Sequence, residues 1–282
     1  FLDMPDQSVD TLLNGHRGMG ILPDGNVVAS LSNGSVYLFN YKTREVINKT
    51  VVEGGGGRPG VDSEGFIYQM NGVFATQVDI LDPADLTVYN SVTGISAGVT
   101  RCMEVSPDGK HVFIASQSGG AHHYYSEDGV DGTYAIVDTI LKSVMVDTLE
   151  KATATNLVQW HPSGLLWVAT FEDTPPTFMY ALDPDQDFAV VDSLKGIPWW
   201  GNTDKTDTTG TGYAKPQYLR AVRDAYFNAE GNEFYAADFY GYTIKKFKFS
   251  PGTSIQPGQD SKTVPDVFTL YHNYPNPFNP ET

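Results

Sequence analysis

Four arginines and an asparagine recur in one register along the chain. Arg17, Arg101, Asn156 and Arg223 each stand eight residues before a glycine that closes a tight-turn sequence, and Arg58 stands seven before another. A guanidinium is a planar fork of donors that grips carboxylate or phosphate through two hydrogen bonds. A ring of such groups would hold an anion or an acidic sugar. The same residues have a structural reading. Each shares its strand face with apolar neighbours, Met103 and Val105 beside Arg101, Ala225 and Phe227 beside Arg223. A face of that kind packs on the next sheet, where arginine pairs with Asp or Glu. Ion-pair networks mimic binding sites, so the structural reading takes precedence.

Two aromatic runs could add to a site, Trp199-Trp200 and His122-His123-Tyr124-Tyr125, both in or next to expected loops on the arginine side. Such groups stack on sugar rings or anchor a protein partner. In a strand, neighbours point to opposite faces, so one of each pair belongs to the core. His122 and His123 cannot chelate one ion from adjacent strand positions, and no third ligand accompanies them. Asp204 to Asp207 and Glu127 to Gly132 have the composition of Ca²⁺ loops without their spacing or distal Glu. Ca²⁺ is the one cofactor that composition leaves open. There is no His-Glu-x-x-His pair or phosphate loop, so no catalytic residue and no metal ligand is assigned.

What must position these groups is a repeat. Five tight-turn sequences end at Gly25, Gly65, Gly109, Gly164 and Gly231, spaced by 40, 44, 55 and 67 residues. In Ser106-Pro107-Asp108-Gly109, Pro presets φ, Asp caps locally and Gly accepts positive φ. Each turn lies between strand-like runs. The run after it ends in small residues, as in Phe113-Ile114-Ala115-Ser116 and Trp167-Val168-Ala169-Thr170. A third strand follows, then a fourth with its own echo: Tyr89-Asn90-Ser91-Val92, Val137-Asp138-Thr139-Ile140 and Val191-Asp192-Ser193-Leu194. Four strands in roughly 40 to 45 residues make a propeller blade. The expected fold is therefore all-β, a β-propeller of four-stranded antiparallel blades, five of them visible, over residues 1–250.

Two departures from the period stand out. Val146 to Leu149 repeats the fourth-strand echo within the third blade, which predicts an inserted hairpin or an extra strand. Residues 197–218 form a long connection with a Thr/Asp/Gly-rich stretch, and a loop of that length is functional by default. The N-terminal segment Phe1 to Gly15 reads like Tyr180 to Gly196, a third-strand end plus a fourth strand. Val9 to Leu13 would then complete the fifth blade and close the ring, unless whole blades precede Phe1.

The net charge is 18 − 34 = −16. An acidic surface repels phosphate backbones and anionic membranes, which argues against nucleic-acid partners. No run of about 18 apolar residues offers a membrane span. The single cysteine, Cys102, sits in a strand-like run as a small core hydrophobe.

Past Pro251 the composition changes. Residues 251–263 read as a flexible linker rich in Gly, Ser, Gln and Asp. Residues 264–282 carry prolines at 265, 275, 277 and 280, which forbid a helix or central strand and leave an extended tail. Leu270, Asn273, Tyr274, Pro275, Asn276, Pro277, Phe278, Asn279, Pro280 and Thr282 closely resemble the opening of the type A C-terminal sorting domain of type IX secretion cargo. In that family a short Ig-like sandwich follows, and this chain stops before its strands. The resemblance covers about 19 residues and implies export by the secretion machinery to the outer surface or medium of a Gram-negative, Bacteroidota-like bacterium. The repeat is more loosely similar to secreted propellers with Ser-Pro-Asp-Gly turns, which include surface proteins and lactonases.

These readings lead to a secreted, non-catalytic propeller that binds a glycan, an anionic ligand or a protein partner. One rival is a metal-assisted hydrolase or lactonase working in the channel. It needs several carboxylates there, and only Glu104 and Asp224 lie near the first-strand starts. Another is a self-assembling subunit of an extracellular filament or layer.

Overall fold

The computed structural model describes residues 15–146, 149–170, 178–195, 222–238 and 243–248. Val9 to Leu13, the connection with Trp199 and Trp200, the two acidic positions Asp204 and Asp207, and the linker and tail lie outside the described residues.

The strands form blades in chain order. Blade one holds β1 to β4 (His16–Ile21, Val27–Leu31, Ser35–Phe39, Val46–Val51). Blade two holds β5 to β8 (Gly60–Val61, Ile67–Met70, Gln77–Leu81, Val88–Thr93). Blade three holds β9 to β12 (Thr100–Val105, His111–Ser116, Ala121–Tyr125, Ala135–Ile140), and the hairpin β13–β14 (Ser143–Val146, Leu149–Ala152) follows it. Blade four holds β15 to β18 (Thr155–Trp160, Leu166–Thr170, Phe178–Asp183, Ala189–Lys195). In blade five the described strands are β19 to β21 (Val222–Phe227, Glu233–Asp238, Thr243–Lys248). All pairings are antiparallel, and each first strand packs beside the next in sequence: β1 on β5, β5 on β9, β9 on β15, β15 on β19. This is the expected propeller architecture, and the hairpin is the insertion anticipated at Val146 to Leu149.

The turns form for local reasons. All five turn glycines have φ between +66° and +95°, a region closed to most L side chains. Ahead of Gly65, the Asp62 carboxylate accepts the backbone N–H of Glu64, Gly65 and Phe66 at 2.9 to 3.0 Å. The core is layered between blades. On β10, Val112 and Ile114 pack toward blade two with Tyr68, Met70 and Ile80, while Phe113 and Ala115 pack toward blade four with Val158 and Trp167. Inner strands are thus buried on both faces, each large side chain contributing about 1.5–3 kcal/mol.

A bulge recurs at the outer edge. The pairing of third and fourth strands slips at Ile47, Tyr89, Val137 and Val191. A bulge twists an edge strand and spoils it as a template for pairing with other chains.

Candidate functional site

The recurring Arg/Asn register has a structural basis. In β1, β15 and β19 the register with the second strand skips Arg17, Asn156 and Arg223. In β9 the slip takes in Arg101 and Cys102 together. Bulges re-aim the side chain they carry; Arg58, just ahead of β5, carries none.

Arg58 goes to the centre. The stretch Gly54 to Gly57 that delivers it runs between backbones so close that a Cβ on Gly54 would stand 2.1 Å from the Asn71 carbonyl oxygen, and one on Gly55 2.3 Å from that of Ser32. The Gly57 carbonyl accepts hydrogen bonds from Ser30 Oγ (2.5 Å) and Gln69 Nε2 (3.0 Å), which fixes the approach. The Arg58 guanidinium then meets three other blades. Nη2 donates to Gln159 Oε1 at 2.6 Å and pairs with Glu104 Oε2 at 3.2 Å. Nη1 lies 3.4 Å from both the Val158 carbonyl oxygen and Cys102 Sγ, and Nε stands 3.4 Å from Asp224 Oδ1. Burial opposes the charge on Arg58, and Glu104, Cys102 and Asp224 more than offset it, so the guanidinium is held above its usual range. Burial pushes the Glu104 carboxyl up while Arg58 pulls it back. Burial is the larger influence, so the carboxyl stands above its usual range.

Arg17 is exposed at the start of β1, Arg223 is half-buried on β19, and the Arg101 side chain lies outside the described part. Asn156 is fully buried: its Nδ2 donates to the Val222 carbonyl at 3.2 Å, and its Oδ1 accepts from Gln117 Nε2 at 3.3 Å. It stitches blade four to blades five and three. The structural reading therefore describes Arg58 and Asn156.

On the loop side, where second strands turn into third strands, Phe74 projects from the β6–β7 loop with 74 % of its surface exposed. The run His122 to Tyr125 lies in strand β11, where His123 and Tyr124 are buried on opposite faces. Asp131 of the second acidic run accepts from Tyr89 Oη at 2.6 Å, docking its turn on blade two. Among the described residues no three His, Cys, Asp or Glu side chains converge as a metal site.

A histidine pair that the linear sequence did not reveal lies between blades three and four. His111 Nδ1 and His123 Nε2 are 2.8 Å apart, packed against Phe113, Tyr125 and Phe188. One neutral ring donates to the other. Burial lowers both pKa values, with His111 adding to the effect on His123, which falls to about 4. Asp108 and Asp138 only partly offset this. A His whose folded pKa lies below its unfolded value near 6.5 contributes stability fully present above that pH and lost as pH falls toward the folded value. Stability will therefore fall between pH 6.5 and about 4, by on the order of 2–3 kcal/mol from His123. Urea titrations will show this slope reduced in His123→Phe; an unchanged slope would place the acid sensitivity elsewhere.

No family model matches the chain, and no curated protein matches it in sequence. Solved structures do match in shape. The β-propeller domain of Cps50 (Swd1) from Myceliophteria thermophila aligns with a TM-score of 0.57 at 12 % identity, over 92 % of this chain and 74 % of that one. A chain of the hydrazine synthase of Kuenenia stuttgartiensis aligns at 0.58 and 15 %, over 95 % and 64 %. A chain of a mitotic checkpoint complex aligns at 0.55 and 12 %, over 84 % and 62 %. The chain thus spans 62 to 74 % of the lengths of these structures. Blade order, strand pairing and these likenesses agree on one architecture, the β-propeller.

Proposed function

We propose that this is a secreted or cell-surface propeller that binds a partner on its loop side and performs no catalysis. The observation that carries the reading is the occupation of the centre. Glu104 and Asp224, the carboxylates a channel-based hydrolase would use to hold a metal, both face the Arg58 guanidinium within 3.4 Å. An ion-paired carboxylate is a poor cation ligand, because a nearby fixed positive charge opposes the metal. Binding then falls to the rim, where Phe74 and Arg17 are exposed. Arg101, Arg223, Trp199 and Trp200, which the sequence alone assigns to that side, are further candidates. Aromatic faces stack on sugar rings and guanidinium forks bind carboxylates, so the ligand class proposed is an acidic glycan.

The test is an array of neutral and uronic-acid or sulfated oligosaccharides, read with the intact chain. Acidic glycans should bind, and Phe74→Ala and Arg17→Ala should each weaken binding about tenfold, a loss of about 1.4 kcal/mol. Both side chains are exposed, so folding should be unaffected. Equal binding by the variants, or no binding to any glycan, would refute this ligand class; capture of a protein alone would replace it with a protein partner.

A further inference from the structure

The histidine pair between blades three and four brings two metal-ligating nitrogens to one point. His111 and His123 lie diagonally across β10 and β11, because His111 pairs with Tyr125 and His123 with Phe113. Alternate residues of a strand share a face, so both imidazoles point with Phe113 toward blade four. Neighbours such as His122 and His123 project to opposite faces and cannot chelate one ion. A diagonal pair can, and here Nδ1 of His111 and Nε2 of His123 lie 2.8 Å apart.

That spacing decides which ion fits. Two nitrogens each about 2.0 Å from one metal stand about 2.8 Å apart at a right angle and about 3.3 Å apart at the tetrahedral angle. The observed 2.8 Å matches the right angle of a square-planar or tetragonal ion, the geometry of Cu²⁺ and Ni²⁺, rather than the tetrahedron of Zn²⁺.

The surroundings favour a cation. Asp138 stands opposite His123 on β12, and Asp108 lies in the turn that leads into His111. Both carboxylates draw positive charge to the imidazoles, and Lys110 opposes them. Burial holds both rings neutral at pH 7, the form that ligates a metal. Phe188 of blade four covers the pair edge-on, its ring 5.1 Å from that of His123 and 6.4 Å from that of His111. It is held there by two consecutive left-handed residues, Asp187 at φ +54° and Phe188 itself at φ +56°. A bulky residue in that region is strained, and such strain gathers at functional sites.

We propose that His111 and His123 bind a tetragonal transition-metal ion, Cu²⁺ in preference to others, in place of the proton they share. Imidazole suits copper, and Cu²⁺ binds a given set of nitrogen ligands more tightly than its divalent neighbours. No third His, Cys, Asp or Glu side chain converges there among the described residues, so water completes the coordination.

The experiment is titration of the intact chain with Cu²⁺ and with Zn²⁺, each against a weak chelating competitor, with electron paramagnetic resonance of the copper form. One Cu²⁺ should bind with an axial spectrum split by two nitrogens. His111→Phe and His123→Phe should each weaken it about a hundredfold or more, since even an outer partner of a ligand is worth 10- to 100-fold. His122→Phe should bind as the wild type does, because His122 faces blade two with Ile114. Binding unchanged in His111→Phe, equal loss in His122→Phe, or Zn²⁺ bound more tightly than Cu²⁺ would overturn the proposal. A measurement on the wild type alone covers variants that misfold. Substoichiometric Cu²⁺ should broaden the NMR signals of His111, His123 and Phe188 before all others, and broadening centred elsewhere would refute the site. The pair lies at the turn side, where β10 begins, so its failure leaves the glycan-binding reading of the loop rim untouched.

Discussion

Arg58→Ala will destabilise the protein by about 3–5 kcal/mol, the range for removing one partner of a buried ion pair. Arg58 ties blade two to Glu104, Gln159 and Asp224, and the alanine variant leaves Glu104 buried without a counter-charge. The loss comes mainly from that orphaned carboxylate. Arg58→Ala/Glu104→Gln should therefore recover a substantial part of it, since a neutral amide is easier to bury than an unpaired charge. Urea denaturation of the wild type, both single variants and the double variant gives the coupling directly. A single-variant loss below about 1 kcal/mol would mean that water screens the centre as it screens a surface pair. Loss of a quarter or more of a typical 5–15 kcal/mol stability should also show as partial unfolding near body temperature.

Deleting residues 263–282 will abolish export while leaving the melting temperature of the propeller unchanged. The sorting-domain resemblance of Leu270 to Thr282 motivates the first half, and those residues lie outside the described structure. The second half follows from backbone chemistry. Four prolines between 265 and 280 lack the N–H donors that a blade strand needs. Fractionation of cells expressing the chain with and without this segment reads the first effect. Calorimetry of the purified chains reads the second. A tail-less protein that still reaches the surface, or one that no longer melts cooperatively, would show the segment to be structural.

The histidine pair and Arg58 mark where local reading stopped. The turns, the blade period and the Arg/Asn register were legible because each depends on residues a few positions apart. Proline, Asp and Gly set a turn wherever they occur together, and a strand shows its period of two in five or six residues. Cys102 read as buried and was buried, since a short run of apolar neighbours decides it. The propeller itself followed from repetition of such local signals.

Which arginine reaches the centre was not legible. Arg17, Arg58, Arg101 and Arg223 look alike in sequence, and nothing local tells that Arg58 meets Cys102, Val158 and Gln159, which lie 44 to 101 residues away along the chain. That outcome depends on the close backbone passage at Gly54 to Gly57 and on partners supplied by three other blades. The His111–His123 contact depends in the same way on a diagonal between strands β10 and β11. The sequence by itself determined how each blade is made, because turn chemistry and strand periodicity are local. Only the tertiary structure decided what lies between blades, because charge pairing and burial there are set by side chains that meet through folding alone.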